Sequence, residues 1–156
     1  MKVGFIGLGN VGGKLAESLL RKGYNISVFD LNENLVEAFE EKGAKGCSGP
    51  AEIMKSCNAI ITCLPSPAAS DLVMGEMLAH VSEGKIWMEM STTDVAEVKR
   101  LGKKVISAGG LAVDCPVSGG CHRASTGNIS IFAGCDRKTF EKIPKPEKNF
   151  KKAKTT

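Results

Sequence analysis

The sequence predicts an α/β fold, a doubly wound, mostly parallel sheet with helices on both faces. Three observations predict it. Short apolar runs alternate with helical patterns along most of the chain, the order expected of repeated strand–helix units. The runs are continuously apolar rather than alternating, as strands covered on both faces must be. Most runs are closed by a turn or capping residue. The length of 156 residues, with 42% apolar and 24% charged side chains, fits one globular domain and not comfortably two.

The elements follow in order. Val3–Ile6 reads as a buried strand. Residues 11–22 read as a helix with Leu15 and Leu19 one turn apart, ended by Gly23. Ile26–Phe29 is the second strand, closed by Asp30. Asn32 can cap a helix carrying Leu35, Val36 and Phe39 on one face, and Gly43 stops it. Residues 59–64 form a strand that Pro65 terminates. Ser66-Pro67 is a helix start, with the hydroxyl as cap and proline in the first turn. Val73, Met77 and Val81 lie along the face of that helix. Residues 85–90 are a strand, and 94–107 a helix with Val95, Val98, Leu101 and Val105 in one stripe. Residues 111–115 and 129–133 are two further strands. Asp136 can cap a last short helix, which Pro144 and Pro146 break.

The net charge of +4 is localised. Residues 1–142 hold 16 basic and 16 acidic side chains, whereas residues 143–156 hold 5 Lys and 1 Glu. A neutral globular part has no electrostatic reason to bind nucleic acid or an anionic membrane. The expected organisation is a domain over 1–142 and an irregular, Lys-rich, disordered tail over 143–156, too poor in apolar groups to offset its ordering entropy. None of the six cysteines forms a Cys-x-x-Cys pair, so neither a zinc ribbon nor a thioredoxin-type motif is offered. Reduced thiols and a cytoplasmic location are expected. The glycines at 7, 9, 12 and 13 interrupt any signal-peptide core, and no apolar run is long enough to span a membrane.

Gly7-Leu8-Gly9-Asn10-Val11-Gly12 matches G-x-G-x-x-G, placed after a strand and opening an amphipathic helix. In that setting each glycine has its own physical role. Gly7 permits the tight turn, Gly9 lets a pyrophosphate approach closely, and Gly12 lets the helix pack on the strand. The amides at the helix start would hold the phosphates. Asp30 ends the second strand 18 residues after Gly12, where a carboxylate can accept from ribose hydroxyls. It would repel an extra 2′-phosphate, and Leu31 supplies no arginine to receive one. The expected cofactor is NAD in preference to NADP, on a Rossmann-type domain.

Two later stretches lie at strand ends, the edge where ligands bind in such sheets. Ser91-Thr92-Thr93 either touches a cofactor or, with Asp94, caps the next helix. Asp114-Cys115-Pro116-Val117-Ser118-Gly119-Gly120 either clasps a carboxylate with adjacent amides or is a plain loop. Cys121 and His122 are chain neighbours without a third group, and His80 stands alone on a helix. Neither a metal site nor a nucleophilic triad follows.

Taken together, "GFIGLGNVGG", "STTDV", "DCPVSGG" and "GNISIFAG" resemble the amino-terminal domain of the β-hydroxyacid dehydrogenase family, nearest the 3-hydroxyisobutyrate dehydrogenase type. The resemblance covers about residues 2–142. It implies that the loop from Gly7 to Gly12 and Asp30 hold the dinucleotide. It implies that Leu64 and Pro65 line its groove and that Thr92 sits near the nicotinamide ribose. Ser118, Gly119 and Gly120 would bind a small hydroxy-acid substrate. Val11, Leu15, Ser18 and Val95 depart mildly from the family's usual residues. The larger departure is that the family carries a second, all-helical domain whose lysine is the general acid/base, and no lysine here lies in that motif. The resemblance therefore implies a truncated form with little activity alone. The alternative is a non-catalytic nucleotide-binding or partner-docking module, self-associating through surface that the helical domain would cover.

Overall fold

The computed structural model describes residues 1–143. Except for Ile143, the Lys-rich tail and the helix-breaking prolines lie outside the described residues. Eight strands and seven helices occur among the described residues: β1 Lys2–Ile6, α1 Gly12–Arg21, β2 Asn25–Phe29, α2 Glu33–Glu40, β3 Lys45–Gly46, α3 Pro50–Ser56, β4 Ala59–Thr62 and α4 Pro67–Met77 come first. β5 Ile86–Glu89, α5 Val95–Ser107, β6 Leu111–Asp114, β7 Val117–Ser118, α6 Gly120–Thr126, β8 Ser130–Ile131 and α7 Arg137–Lys142 follow.

The first six strands make one sheet in the order β3-β2-β1-β4-β5-β6, and every pairing in it is parallel. The chain winds outward from β1 to β3, crosses back, and winds outward again from β4 to β6. The reversal leaves a crevice above the carboxyl ends of β1 and β4.

Side chains alternate between two cores, one on each face, with the period of two that strands impose. Val3 and Phe5 of β1, Ile61 of β4, Ile86 and Met88 of β5 and Val113 of β6 face α1, α2 and α6, meeting Leu15, Phe39 and Ala124. Ile6, Ile60 and Trp87 face the other way, meeting Ile53 and Met54 of α3, Met74 and Met77 of α4, and Leu101 and Val105 of α5. The predicted doubly wound architecture is the observed one.

The expected caps form. Asn32 Oδ1 accepts from the Asn34 amide at 3.2 Å and Ser66 Oγ from Ala69 at 3.2 Å. Asp94 Oδ1 accepts from Ala96 at 2.6 Å and Asp136 Oδ1 from Thr139 at 2.9 Å. Each satisfies an amide that the helix itself leaves without a partner.

Four expectations need correction. The strand read over 129–133 shrinks to Ser130–Ile131. It pairs antiparallel with β7 outside the main sheet, because Ile131 and Phe132 find no core and stay exposed. The helix after Ser66 ends at Met77 and tightens into a 3₁₀ turn over Leu78–His80, so Val81 is not on its face. Val95 is 61% exposed and stands outside the core, because the residues that α5 buries are Leu101, Gly102 and Val105, all beyond its first turn. Finally, β3 and α3 were not anticipated: a two-residue strand and a seven-residue helix are too short to show a period.

Candidate dinucleotide site

The glycine loop is built by close backbone approach. Gly7 leaves β1 at φ 96°, a left-handed conformation that favours glycine. Its amide donates to the Phe29 carbonyl at 3.0 Å, tying the loop to β2. A Cβ on Gly7 would lie 2.2 Å from the Cys63 carbonyl oxygen at the end of β4, and one on Gly12 only 2.1 Å from the Gly7 oxygen. Both glycines are therefore required by packing. Gly9 differs: it is exposed, and a Cβ there would meet nothing within 4 Å. The space beside Gly9 is open, so neither a close contact nor a positive φ requires glycine there. Val11 gives α1 no side-chain cap and its first turn has no acidic residue, so the helix start suits an anion. This arrangement fits a pyrophosphate.

Asp30 stands at the end of β2, half-buried, with both carboxylate oxygens engaged. Oδ2 accepts from the Leu8 amide at 2.7 Å and Oδ1 from the Asn32 amide at 2.9 Å. This residue brackets the glycine loop to the start of α2, a role that its place in the sequence does not announce. Each oxygen keeps lone-pair capacity for a further donor. Beside it lies a groove of about 390 Å³ lined by Asp30, Leu31, Glu33, Glu37, Cys47 and Ser48, among others, with no basic side chain in its wall. Leu31 is 92% exposed at its rim.

Across the crevice, Leu64 and Pro65 follow β4. The Leu64 amide donates to Ser91 Oγ at 2.7 Å, and Ser91 in turn donates through both its amide (2.9 Å) and its hydroxyl to Glu89 Oε1. The two readings of Ser91-Thr92-Thr93 thus separate by residue. Asp94 is the helix cap, Ser91 is buried and ties two strand ends together, and Thr92 is left exposed on the carboxyl edge. Ser118, Gly119 and Gly120 are exposed at the turn between β7 and α6, with φ 132° at Gly119 and 70° at Gly120. That turn is carried on a helix packed along α1, where Arg21 donates to the Ser125 carbonyl.

All six cysteines are free, and burial pushes Cys63 up to about 11 and Cys115 up to about 12. No hydrogen bond joins Cys121 to His122, and no metal-binding cluster occurs among the described residues. No helix among them is long and apolar enough to cross a membrane.

Glu89 is the unanticipated group. Its side chain is fully buried at the end of β5, and burial raises its pKa, although the hydroxyl and amide of Ser91 oppose the rise. The signal in the sequence was an acid inside the apolar run Ile86-Trp87-Met88-Glu89-Met90. A raised carboxyl pKa means that the folded state holds the proton more tightly than the unfolded state. Stability from this group is present at low pH and lost as pH rises through the folded pKa. Unfolding midpoints measured from pH 4 upward are expected to decline through this window. Glu89→Gln should flatten that part of the profile, and an identical slope in the variant would contradict it.

Comparison with known proteins agrees with this geometry. The family described as the NAD binding domain of 6-phosphogluconate dehydrogenase matches residues 2–147. The mitochondrial 3-hydroxyisobutyrate dehydrogenase of Mus musculus is 37% identical over 135 residues, covering 85% of this chain and 40% of the mouse protein. The cytokine-like nuclear factor N-PAC of Homo sapiens is 34% identical over 143 residues, covering 90% of this chain and 26% of that protein. The solved 3-hydroxyisobutyrate dehydrogenase of Mycobacterium tuberculosis with L-serine superposes with a TM-score of 0.85 at 24% identity, over 90% of this chain and 48% of that one. This last likeness establishes the shared fold. The chain spans half or less of the length of each of these relatives. With the glycine loop, the switch-point crevice and the matched residues in agreement, this chain belongs to the family of the NAD binding domain of 6-phosphogluconate dehydrogenase.

Proposed function

We propose that the chain binds NAD across the crevice between β1 and β4, as the nucleotide-binding part of a dehydrogenase acting on a small 3-hydroxy acid such as 3-hydroxyisobutyrate. The open space at Gly9, flanked by two glycines that packing requires and lying at the start of α1, carries this reading. The loop amides and the start of α1 would hold the pyrophosphate, and Asp30 would accept from the adenine ribose. Leu64 and Pro65 would wall the groove, and Thr92 would approach the nicotinamide ribose. Ser118, Gly119 and Gly120 would receive the carboxylate of the hydroxy acid. The nicotinamide ring, when bound, supplies the hydride chemistry, and the protein orients the reactants.

The preference for NAD rests on Asp30, Glu33 and Glu37 lining one groove without a basic partner. A 2′-phosphate placed there would meet like charge at short range. Isothermal titration is expected to show NADH binding at least tenfold more tightly than NADPH. Equal affinities would overturn the preference, and NADH affinity no better than that of an unrelated protein would overturn the binding itself. The 156-residue chain alone is expected to turn over little 3-hydroxyisobutyrate with NAD, because no lysine in it matches the family's proton-transfer motif. A clear steady-state rate would contradict this.

A further inference from the structure

The strand ends that wall the crevice are joined underneath by a polar chain buried beneath the carboxyl edge of the sheet. Glu89 is 0% exposed, and in the register of the sheet it lies opposite Thr62 on one side and Asp114 on the other. The proton directions can be assigned. The Leu64 amide can only donate, so Ser91 Oγ is its acceptor, and the Ser91 hydroxyl proton goes to Glu89 Oε1. Trp87 Nε1 can likewise only donate, so Thr62 Oγ1 is its acceptor at 2.9 Å, which leaves the Thr62 proton to be given elsewhere. Glu89 Oε2 and the Ser70 hydroxyl are both buried without a hydrogen-bond partner among the described residues. The carboxyl is thus the terminal acceptor of a chain that joins the end of β4 to the turn after β5.

A group buried only for stability would be apolar at this position, since taking a carboxyl out of water is costly unless its bonds are made. What this carboxyl does is hold Ser91, and Ser91 holds Leu64. Leu64 in turn lies against the glycine loop, where its Cδ2 would be 3.2 Å from a Cβ placed on Gly7. Resting on the dinucleotide reading above, we propose that Glu89 is the positioning residue of the nucleotide groove. Through the Ser91 hydroxyl it fixes the Leu64-Pro65 wall at the spacing that a dinucleotide needs.

The test uses the full chain and NADH as probe, with affinity measured by isothermal titration at a temperature where circular dichroism shows each variant folded. Ser91→Ala removes the relay and leaves Glu89 in place; it is expected to weaken NADH binding about tenfold, a change equivalent to one lost hydrogen-bond linkage. Ser91→Thr, which keeps the hydroxyl, should restore affinity to within about twofold of the wild type. Glu89→Gln, which keeps an acceptor toward Ser91, should do the same. Glu89→Ala should match Ser91→Ala, and the double variant should be no worse than either, because both act through one contact. Should Glu89→Ala fail to fold, the two Ser91 variants decide the matter alone. Wild-type affinity in Ser91→Ala, or additive losses in the double variant, would overturn the proposal while leaving dinucleotide binding intact. Absence of NADH binding by the wild type would overturn both.

Discussion

Replacing Gly12 by alanine is expected to lower the stability of the chain by about 3 kcal/mol or more, the upper end of what overpacking costs. For a domain of this size that corresponds to a fall of roughly 10 °C in the unfolding midpoint. The reason lies in what the new methyl group meets. A Cβ at Gly12 would stand 2.1 Å from the Gly7 carbonyl oxygen and 3.2 Å from Cys63 Cβ. The first of these is backbone, so no rotamer change relieves the clash. Relief requires α1 to move off β1, and that movement also opens the core where Leu15 and Ala16 are buried. Thermal and urea unfolding followed by circular dichroism measure the effect. A midpoint within about 2 °C of the wild type would mean that helix and strand do not approach this closely.

Replacing Gly9 by valine is expected to do the reverse, leaving stability within about 1 kcal/mol and weakening NADH binding roughly a hundredfold. Nothing lies within 4 Å of the new Cβ, and the residue is exposed, so the folded chain accommodates the side chain. The space it fills is the open side of the glycine loop, where a phosphate would receive backbone amides. Losing about two charge-assisted hydrogen bonds accounts for a change of this size. Titration with NADH, read beside the unfolding curve of the same variant, checks both halves. Wild-type affinity in a folded Gly9→Val variant would remove the phosphate from this loop. The two glycines, three residues apart in one motif, thus separate packing from binding.

Much of this was legible because the demands are local. A strand covered on both faces must be apolar throughout, and Ile60 and Ile61 or Trp87 and Met88 show that in consecutive residues. Asn32, Ser66, Asp94 and Asp136 announce helix starts because the amides they cap lie two or three residues away. What escaped was short or depended on its surroundings. β3 pairs through only Lys45 and Gly46, and α3 offers a single turn of apolar contacts, Ile53 and Met54. The run from Ile129 to Ala133 has strand propensity, but propensity does not say whether a sheet is there to receive it.

By itself, the sequence determined the alternation of strands and helices, the glycine loop and the acid at the end of β2. Those features are written within a few residues of one another, and backbone sterics read them directly. Only the tertiary structure decided that Asp30 brackets Leu8 from 22 residues away and that Ser91 holds Leu64 across 27. Such contacts depend on which strands lie side by side. The crossing that places β4 next to β1 and β5 next to β4 is set by how the two cores fill, and no local pattern encodes it. For the same reason an acid inside an apolar strand is an anomaly in the sequence and a junction in the fold.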